Sequence, residues 1–341
     1  MPRRAGRGRW AATLLAAAVL GCGASTAAPV RAAAPDPIPQ IWMSATEPVW
    51  RQAHGWPAND YMELFRPSSP WRYAAQHVEV FQVSKRFVEQ AGDGALAEVI
   101  SSLARRGIAL AMQGTPNVPT AECGRGIESY GPPEDMARDA ARIRRLGGTL
   151  AYIDMDEPLF YGHVFNGRRG TTPCHAPLAV IAASAARKIA AARRIFPSVQ
   201  VGEAEPFGIP FMSAGGWASL LGRWFDAFAA ASGMRLAFVH ADIVWRRPNA
   251  LAQFEAALPM LRAAGIPLGV IYDGSPFAPT SAAWVAEAKQ HVQLIEARLG
   301  IVPAQAVFQT WMERPMEMLP DTASDTLTGL IAFYVASHSS R

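Results

Sequence analysis

Residues 150–158 read Leu150-Ala151-Tyr152-Ile153-Asp154-Met155-Asp156-Glu157-Pro158, and this stretch decides the fold. The run is short and apolar, it is entered through Gly147 and Gly148, and it ends in three acidic residues. A short apolar run bounded by such turn signals is typical of a buried strand. Because burying a carboxylate without a partner is costly, we expect Asp154, Asp156 and Glu157 to lie where the strand emerges into a cleft.

Strand and helix patterns alternate along the chain from residue 38 onward. The predicted strands are residues 40–44, 78–84, 108–113, 150–158, 199–205, 236–242, 268–273 and 304–311. The predicted helices are residues 94–106, 132–146, 176–196, 217–231, 250–264, 282–299 and 324–337. Eight strands alternating with helices in roughly 300 residues predict an α/β fold, a single-domain (β/α)8 TIM barrel over residues 38–341.

The competing architecture is a doubly wound open sheet. Such a sheet often carries a Gly-rich phosphate-binding turn after its first strand. The sequence has neither a Gly-x-Gly-x-x-Gly pattern nor a P-loop. The barrel is therefore the preferred architecture, and we expect no cofactor.

The composition predicts a folded chain with a large core, since 50% of the residues are hydrophobic and 18% are charged. The net charge of +4 overstates the basicity of the fold, because five arginines lie within the first 35 residues: Arg3, Arg4, Arg7, Arg9 and Arg31. No basic stripe with interleaved aromatic residues is present, which disfavours nucleic acid as a partner. We expect a monomer.

The N-terminus has the pattern of an export signal. Residues 3–9 are positively charged, and residues 10–20 form an apolar run that is too short for an ordinary membrane span. We expect residues 1–22 to be a signal peptide or lipoprotein signal and residues 23–37 to be a linker. Residues 19–22, Val-Leu-Gly-Cys, resemble a bacterial lipobox, in which Cys22 would carry a membrane-attaching lipid.

Two other processing outcomes stay open. A signal peptidase would cut after the small residues near Ala27 or Ala33, or the segment would remain as an uncut membrane anchor. Export or anchoring places the protein in the bacterial periplasm or on a membrane as a lipoprotein. Cysteine usage agrees with export, because Cys123 and Cys174 lie in Gly/Pro/Thr-rich loops and an oxidising compartment favours a disulfide between them. The alternative is two free surface thiols.

Polar residues occur late in several predicted strands. Side chains alternate along a strand, so residues two apart share a face. The polar and aromatic residues that share faces near strand ends are Gln113, Asp154, Asp156, Glu203, Glu205, His240, Asp242, Asp273, Gln309 and Trp311. Because catalytic groups in this fold lie at the C-terminal ends of the strands, the pattern predicts an active site there. Any single acid could instead cap a loop or pair with an arginine of the 168–169 or 246–247 pairs.

A group of carboxylates with a histidine and aromatic rings suits glycoside hydrolysis. One carboxyl protonates the leaving oxygen, and a second attacks the anomeric carbon or activates water. Crowding by other carboxylates helps the acid to keep its proton near neutral pH. Aromatic rings at or just past strand ends would stack on sugars, namely Trp42, Tyr161, Phe207, Trp245 and Trp311. The predicted partner is therefore a carbohydrate.

The stretch Asp156-Glu157-Pro158 after a fourth strand resembles the Asn-Glu-Pro of clan A retaining glycosidases, which are (β/α)8 barrels. The resemblance implies that Glu157 is the acid/base and that Asp273, at the end of strand seven, is the nucleophile. His240 and Trp311 match a His on strand six and a Trp on strand eight. Two departures, Asp156 for Asn and Asp273 for Glu, leave Glu205 or Glu203 as alternative partners of Glu157. Retention of configuration is the favoured outcome.

The predicted catalytic residues are thus Glu157, Asp273 and Glu205. The predicted substrate contacts are Gln113, Asp154, Asp156, Glu203, His240, Asp242, Trp42, Tyr161, Trp245 and Trp311. A second hypothesis is a metal-dependent TIM-barrel hydrolase with Asp154, Glu203, His240 and Asp242 as ligands. The sequence has no His-Glu-x-x-His motif, and we expect no metal site. A third hypothesis is a non-catalytic, polysaccharide-binding envelope lipoprotein.

Overall fold

A computed structural model describes residues 38–339 of the 341-residue chain. The predicted export signal, the predicted linker and Cys22, the predicted site of lipid attachment, lie outside the described residues. No helix among residues 38–339 combines the length and apolar character needed to cross a bilayer.

Eight parallel strands close into a barrel in the order in which they occur along the chain. The strands are β1 (Gln40–Ser44), β2 (Val78–Val83), β3 (Ala109–Gly114), β4 (Leu150–Asp156), β5 (Gln200–Phe207), β6 (Val239–Ile243), β7 (Leu268–Ile271) and β8 (Gln305–Gln309). The barrel closes through pairing of β1 with β8, from Gln40 with Gln305 to Ser44 with Gln309. This closed parallel sheet confirms the predicted (β/α)8 barrel.

Helices surround the barrel. They are α1 (Pro48–His54), α2 (Arg72–Ala75), α3 (Lys85–Gln90), α4 (Asp93–Arg106), α5 (Asp135–Arg145), α6 (Leu178–Arg193), α7 (Ala214–Ser232), α8 (Ala250–Ala264), α9 (Ser281–Val292) and α10 (Leu327–Ser339). A 3-10 helix spans Tyr61–Phe65, and π-helical segments span Phe160–Val164 and Gln293–Arg298. The long helices match the predictions within a few residues. The short helices α1, α2 and α3 were not predicted, because elements this short carry too little periodicity to recognise.

Large side chains fill the interior of the barrel. The ring of Trp42 on β1 lies 4.9 Å from that of Tyr152 on β4 and 5.0 Å from that of Phe238, the residue directly before β6. These strands are not neighbours, so the rings meet across the interior. Gly202 on β5 makes this packing possible, since a Cβ atom there would lie 2.4 Å from the Phe238 ring. Gly269 on β7 leaves room for His240 in the same way, because a Cβ atom at that position would lie only 2.3 Å from the imidazole.

Candidate active site

A pocket of about 650 Å³ opens at the C-terminal ends of the strands. Its base consists of interior-facing residues at or near the C-terminal ends of several strands. Amide side chains line one side of this base, with Gln82 on β2, Gln113 on β3 and Gln309 on β8. Acidic side chains line the other side, with Asp156 on β4 and Asp242 on β6. The predicted collection of polar side chains at one end of the barrel is therefore present.

Glu157 shares this pocket because the backbone turns sharply at its position. Regular alternation would direct Asp156 and Glu157 to opposite faces of β4. Glu157 instead has a φ of +46°, a left-handed conformation that is unusual for a residue with a side chain. Both carboxyl groups consequently line the pocket. Strained backbone of this kind persists only when the surrounding structure holds it, and such positions cluster at functional sites.

Two buried contacts hold the turn that follows Glu157. Glu205 accepts hydrogen bonds from the backbone amides of Leu159 at 2.7 Å and of Phe160 at 3.1 Å. The side-chain amide of Asn117 donates to the carbonyl of Pro158 at 3.1 Å. Burial raises the pKa of Glu205 to about 8, although both amide contacts act to lower it. Glu205 therefore supports the turn from behind and does not line the pocket.

Glu157 and Asp242 form a hydrogen-bonded pair of carboxyl groups. Burial, together with the neighbouring charges of Asp242 and Glu128, raises the pKa of Glu157 well above its usual range. Burial and the charge of Glu128 raise the pKa of Asp242 to about 6, while the hydrogen bond from Glu157 opposes that change. Because the hydrogen bond lowers the pKa of Asp242, Glu157 is its donor and holds the proton, while Asp242 is the acceptor. Two carboxyl groups whose pKa values differ in this way can take opposite roles, one as the acid and the other as the base or nucleophile.

Asp156 completes the inner group of acids. Its pKa is raised well above normal, first by burial and then by the charge of Glu128, while a hydrogen bond from Gln113 acts in the opposite direction. Gln113 thus fixes the orientation of Asp156 beside the Glu157–Asp242 pair. The sequence predicted both residues as substrate contacts, and the structure brings them together.

Glu128 was missed by the sequence analysis. It lies in the loop between β3 and α5, and its carboxylate accepts a 2.7 Å hydrogen bond from the Tyr161 hydroxyl. Tyr161, a predicted sugar contact, also lines the pocket. No strand delivers Glu128, so strand-end reasoning had no means of finding it. The one signal in the sequence was that Glu128 follows Cys123, Gly124 and Gly126 closely, which indicates a loop with a defined conformation.

The predicted disulfide is present between Cys123 and Cys174, whose Cα atoms are 5.1 Å apart. It joins the loop after β3 to the loop after β4. Both loops contribute to the pocket wall, the first through Glu128 and the second through Arg168. The bond therefore braces two walls of the site.

Asp273 lies beside Asp242, whose charge contributes to raising the pKa of Asp273 well above normal after the larger effect of burial. Its carboxylate accepts a 2.8 Å hydrogen bond from the indole of Trp245. That indole stacks on His291 at a ring distance of 3.9 Å. Asp273 and Trp245 are not among the side chains that line the pocket. The structure places Asp242, and not Asp273, next to Glu157.

His240 and Asp154 lie inside the barrel, where both are buried. The indole N–H of Trp42 can only donate, so the side-chain atom of Gln40 that it contacts is the oxygen. The side-chain atom of Gln305 that faces the same oxygen must therefore be its amide nitrogen, 3.2 Å away. This arrangement turns the Gln305 oxygen toward Nε2 of His240, 2.9 Å away, so Nε2 carries a hydrogen. The opposite nitrogen, Nδ1, lies 2.8 Å from Asp154. Neither His240 nor Asp154 lines the pocket, so the network does not contact a bound substrate.

Two further predicted substrate contacts, Trp42 and Glu203, do not line the pocket. Trp42 is fully buried in the barrel interior and offers no face to a sugar. Glu203 faces the helices, where its carboxylate accepts hydrogen bonds of 2.8 and 3.0 Å from the indole of Trp224 on α7. Glu203 and Glu205 share a face, as predicted, but it is the outer face of β5. Trp311, by contrast, lines the pocket and is 45% exposed, as a sugar platform requires.

The residues named as metal ligands in the second hypothesis are not assembled. Asp154 and His240 lie in the barrel interior, Asp242 at the pocket, and Glu203 on the outer face of the sheet. Within residues 38–339, no group of three or more His, Cys, Asp or Glu side chains is arranged to hold a metal ion.

Comparisons with known proteins identify similar folds. No protein-family model matches the chain. No curated protein matches it either. Native Xylanase10C from Cellvibrio japonicus superposes with a TM-score of 0.53 at 13% identity, over 90% of this chain and 72% of that chain. A mutant of that enzyme in complex with xylopentaose gives 0.52 at 13% identity, over 90% and 68% of the two chains.

A psychrophilic glycoside hydrolase family 10 endo-β-1,4-xylanase gives a TM-score of 0.50 at 8% identity, over 81% of this chain and 86% of that chain. At such low identities the likeness concerns the fold. The chain has the (β/α)8 barrel that glycoside hydrolases of this kind share.

Proposed function

We propose that the protein is an exported glycoside hydrolase that cleaves O-glycosidic bonds of a poly- or oligosaccharide. The observation that carries the proposal is the Glu157–Asp242 pair, in which one carboxyl keeps its proton beside one that loses it. The pair faces an open polar pocket with Gln82, Gln113 and the exposed ring of Trp311. Carboxyls in two protonation states, with amide and aromatic contacts, suit a neutral sugar chain.

In this proposal Glu157 is the general acid. A bound glycosidic oxygen takes the place of Asp242 as the acceptor of the Glu157 proton, so the leaving group departs as an alcohol. The ionised Asp242 faces the developing positive charge and attacks the anomeric carbon as the glycosidic bond breaks, which gives a covalent glycosyl-enzyme. A water molecule that gives its proton to the now ionised Glu157 then displaces Asp242 from the sugar. Asp156, held by Gln113, is placed to contact a sugar hydroxyl.

Asp242 is the proposed second carboxylate, and Asp273, which the family resemblance implies, is its rival. Retaining enzymes separate their carboxyls by about 5–5.5 Å and inverting enzymes by about 6.5–9.5 Å. Glu157 and Asp242 are in hydrogen-bond contact, so the two carboxyl groups must move apart to admit a sugar between them. The movement needed to reach the retaining separation is smaller than that needed to reach the inverting one. Retention is therefore the proposed outcome. Azide rescue distinguishes the candidates: in a retaining enzyme, truncating the nucleophile to Ala lets azide attack from the vacated side, so Asp242→Ala and Asp273→Ala are compared.

The experiment for the reaction itself is reducing-sugar release from a panel of plant and bacterial polysaccharides. The panel compares the wild-type protein with Glu157→Gln and with Glu122→Gln, a matched control on the exposed part of the 117–131 loop outside the pocket. Release by the wild type and the control, but not by Glu157→Gln, supports hydrolysis. A protein that binds a glycan without cleaving it would instead support the non-catalytic hypothesis.

The proposed export rests on the N-terminal pattern of positive charge, apolar run and Cys22. Fractionation of cells that produce the full chain tests it, together with the mass of the mature N-terminus. A lipidated N-terminus that is lost in Cys22→Ala supports a membrane-anchored lipoprotein. Cleavage near Ala27 or Ala33 supports a periplasmic protein, and retention of the full chain in the cytoplasm contradicts export.

A further inference from the structure

The loop from Asn117 to Gly131 is a closed structure that stands over the acids of the pocket. Its neck is fastened by two backbone hydrogen bonds of 3.0 Å, from Asn117 to the Ser129 carbonyl and from Gly131 to the Asn117 carbonyl. The side-chain amide of Asn117 donates to the Ser129 hydroxyl and to the Pro158 carbonyl. Asn117 thus closes the loop and also binds the backbone immediately after Glu157.

The far side of the loop is held by the following wall of the site. Cys123 is bonded to Cys174, and the Gly124 amide donates to the Thr172 carbonyl at 2.9 Å. Arg168, a pocket-lining cation, reaches the Gly126 carbonyl at 3.4 Å. The loop is consequently attached at its neck and at its outer end.

Glu128 lies between these two attachments and is connected to Glu157 through one side chain. The Tyr161 hydroxyl donates to the Glu128 carboxylate at 2.7 Å, while the Tyr161 amide donates to the Glu157 carbonyl at 3.1 Å. Ser129, the next residue, has a φ of +69° and turns the chain sharply at this point. The geometry therefore fixes an exposed carboxylate at the rim of the pocket that also contains Asp156, Glu157 and Asp242.

The charge of Glu128 acts on each acid that faces it. It contributes to raising the pKa of Asp156 and Glu157 on β4 and of Asp242 on β6, after the larger effect of burial. It also raises the pKa of the Tyr161 hydroxyl that it binds, again after burial and the charge of Glu157. The basic side chains that line the same pocket are Lys85, Arg86 and Arg168. Of these, Arg168 donates a hydrogen bond to the loop backbone at Gly126.

We propose that Glu128 is a positioning residue of the site, whose carboxylate keeps the transferable proton on the Glu157–Asp242 pair, and that the Cys123–Cys174 bond keeps Glu128 in place. This assignment rests on the proposed glycosidase function only for its catalytic consequence. The electrostatic relation between Glu128 and Asp242 holds whether or not the protein hydrolyses a glycan.

The test compares Glu128→Gln with Glu122→Gln, a glutamate of the same loop that does not line the pocket. Carboxyl ¹³C NMR of protein labelled at aspartate follows the titration of Asp242 directly. We expect the pKa of Asp242 to fall from about 6 toward its ordinary value in Glu128→Gln and to stay unchanged in Glu122→Gln. An unchanged titration in Glu128→Gln would overturn the proposal.

Two further readouts complete the test. The pH profile of kcat/KM should move to lower pH in Glu128→Gln, with a loss of about three- to tenfold on its alkaline side, because each pKa unit changes the protonated fraction tenfold. Absence of hydrolysis by the wild type would remove the proposed function, while the NMR titration would still decide the role of Glu128. A changed Asp242 titration with an unmoved pH profile would refute the catalytic consequence alone.

Reduction of the disulfide tests the second half of the proposal. In the wild type, dithiothreitol should move the Asp242 titration in the same direction as Glu128→Gln. In Glu128→Gln, reduction should add nothing, since the group that the disulfide holds is already neutral. A reduced wild-type protein that remains folded and titrates as the oxidised one does would show that the disulfide does not place Glu128.

Discussion

The Glu205 carboxylate accepts a 2.7 Å hydrogen bond from the Leu159 amide, and this contact fixes the turn that presents Glu157. Glu205→Ala leaves the buried amides of Leu159 and Phe160 without an acceptor. Since each unsatisfied buried group costs about 1–3 kcal/mol, we expect the free energy of unfolding to fall by about 2–5 kcal/mol. Urea denaturation measures it, and Glu205→Gln, which retains one acceptor oxygen, should lose less. Equal losses in both variants would argue against the hydrogen-bond account.

The pH dependence of hydrolysis should follow the Glu157–Asp242 pair. Asp242 must be ionised, so activity should rise through a pH of about 6 as its carboxyl loses a proton. Glu157 must stay protonated, so activity should fall again at higher pH, because its pKa is raised well above normal. The two limbs of the profile give apparent pKa values that belong to the pair as a whole and not to either residue alone. A profile of kcat/KM that keeps its limb near pH 6 in Asp242→Asn would show that another group produces it.

The disulfide should stabilise the fold. Cys123 and Cys174 are separated by 51 positions, and the chain-entropy relation gives about 4 kcal/mol for closing a loop of that length. The double variant Cys123→Ser/Cys174→Ser should therefore unfold at a lower urea concentration than the oxidised wild type. Dithiothreitol should lower the midpoint of the wild type and leave that of the variant unchanged. Coincident midpoints for oxidised and reduced wild type would contradict the prediction.

Trp311 should contribute to glycan binding. It is 45% exposed and lines the pocket, so its ring offers an apolar face to a sugar. Trp311→Ala should weaken binding by about 1–2 kcal/mol, a factor of about 5–30, with little effect on stability. Tyr73→Ala is the matched control, because Tyr73 is 43% exposed and lies outside the pocket. Calorimetric titration with an oligosaccharide cleaved by the protein, carried out on Glu157→Gln backgrounds, provides the affinities.

The barrel could be predicted because its strands are short apolar runs with clear ends. Leu150–Asp156 and Ala250–Ala264 were recognised from periodicity and from the glycines that flank them. Strand parity also grouped Glu203 with Glu205 correctly. Parity does not say which face of the strand is the inner one, and here Gly202 and Ala204 face the interior while the two glutamates face the helices.

The centre of the site was harder to predict, because it depends on departures from regular structure. The left-handed backbone of Glu157 brings two consecutive residues to one pocket, contrary to alternation. Glu128 comes from a loop whose position depends on Asn117 and the disulfide, contacts that join residues distant in sequence. Local sequence patterns give no information about such long-range contacts. The strand-seven analogy likewise favoured Asp273, although the hydrogen bond of Glu157 is made with Asp242 on β6.

The central claim is that Glu157 is the proton donor in glycoside cleavage, and turnover of the best polysaccharide substrate by Glu157→Gln tests it most directly. General acid catalysis contributes about 10²–10⁴-fold, so kcat should fall by that factor while the fold and glycan affinity are retained. A substrate with a good leaving group, which needs no protonation, should recover much of the loss. Full activity of Glu157→Gln on the polysaccharide would contradict the account.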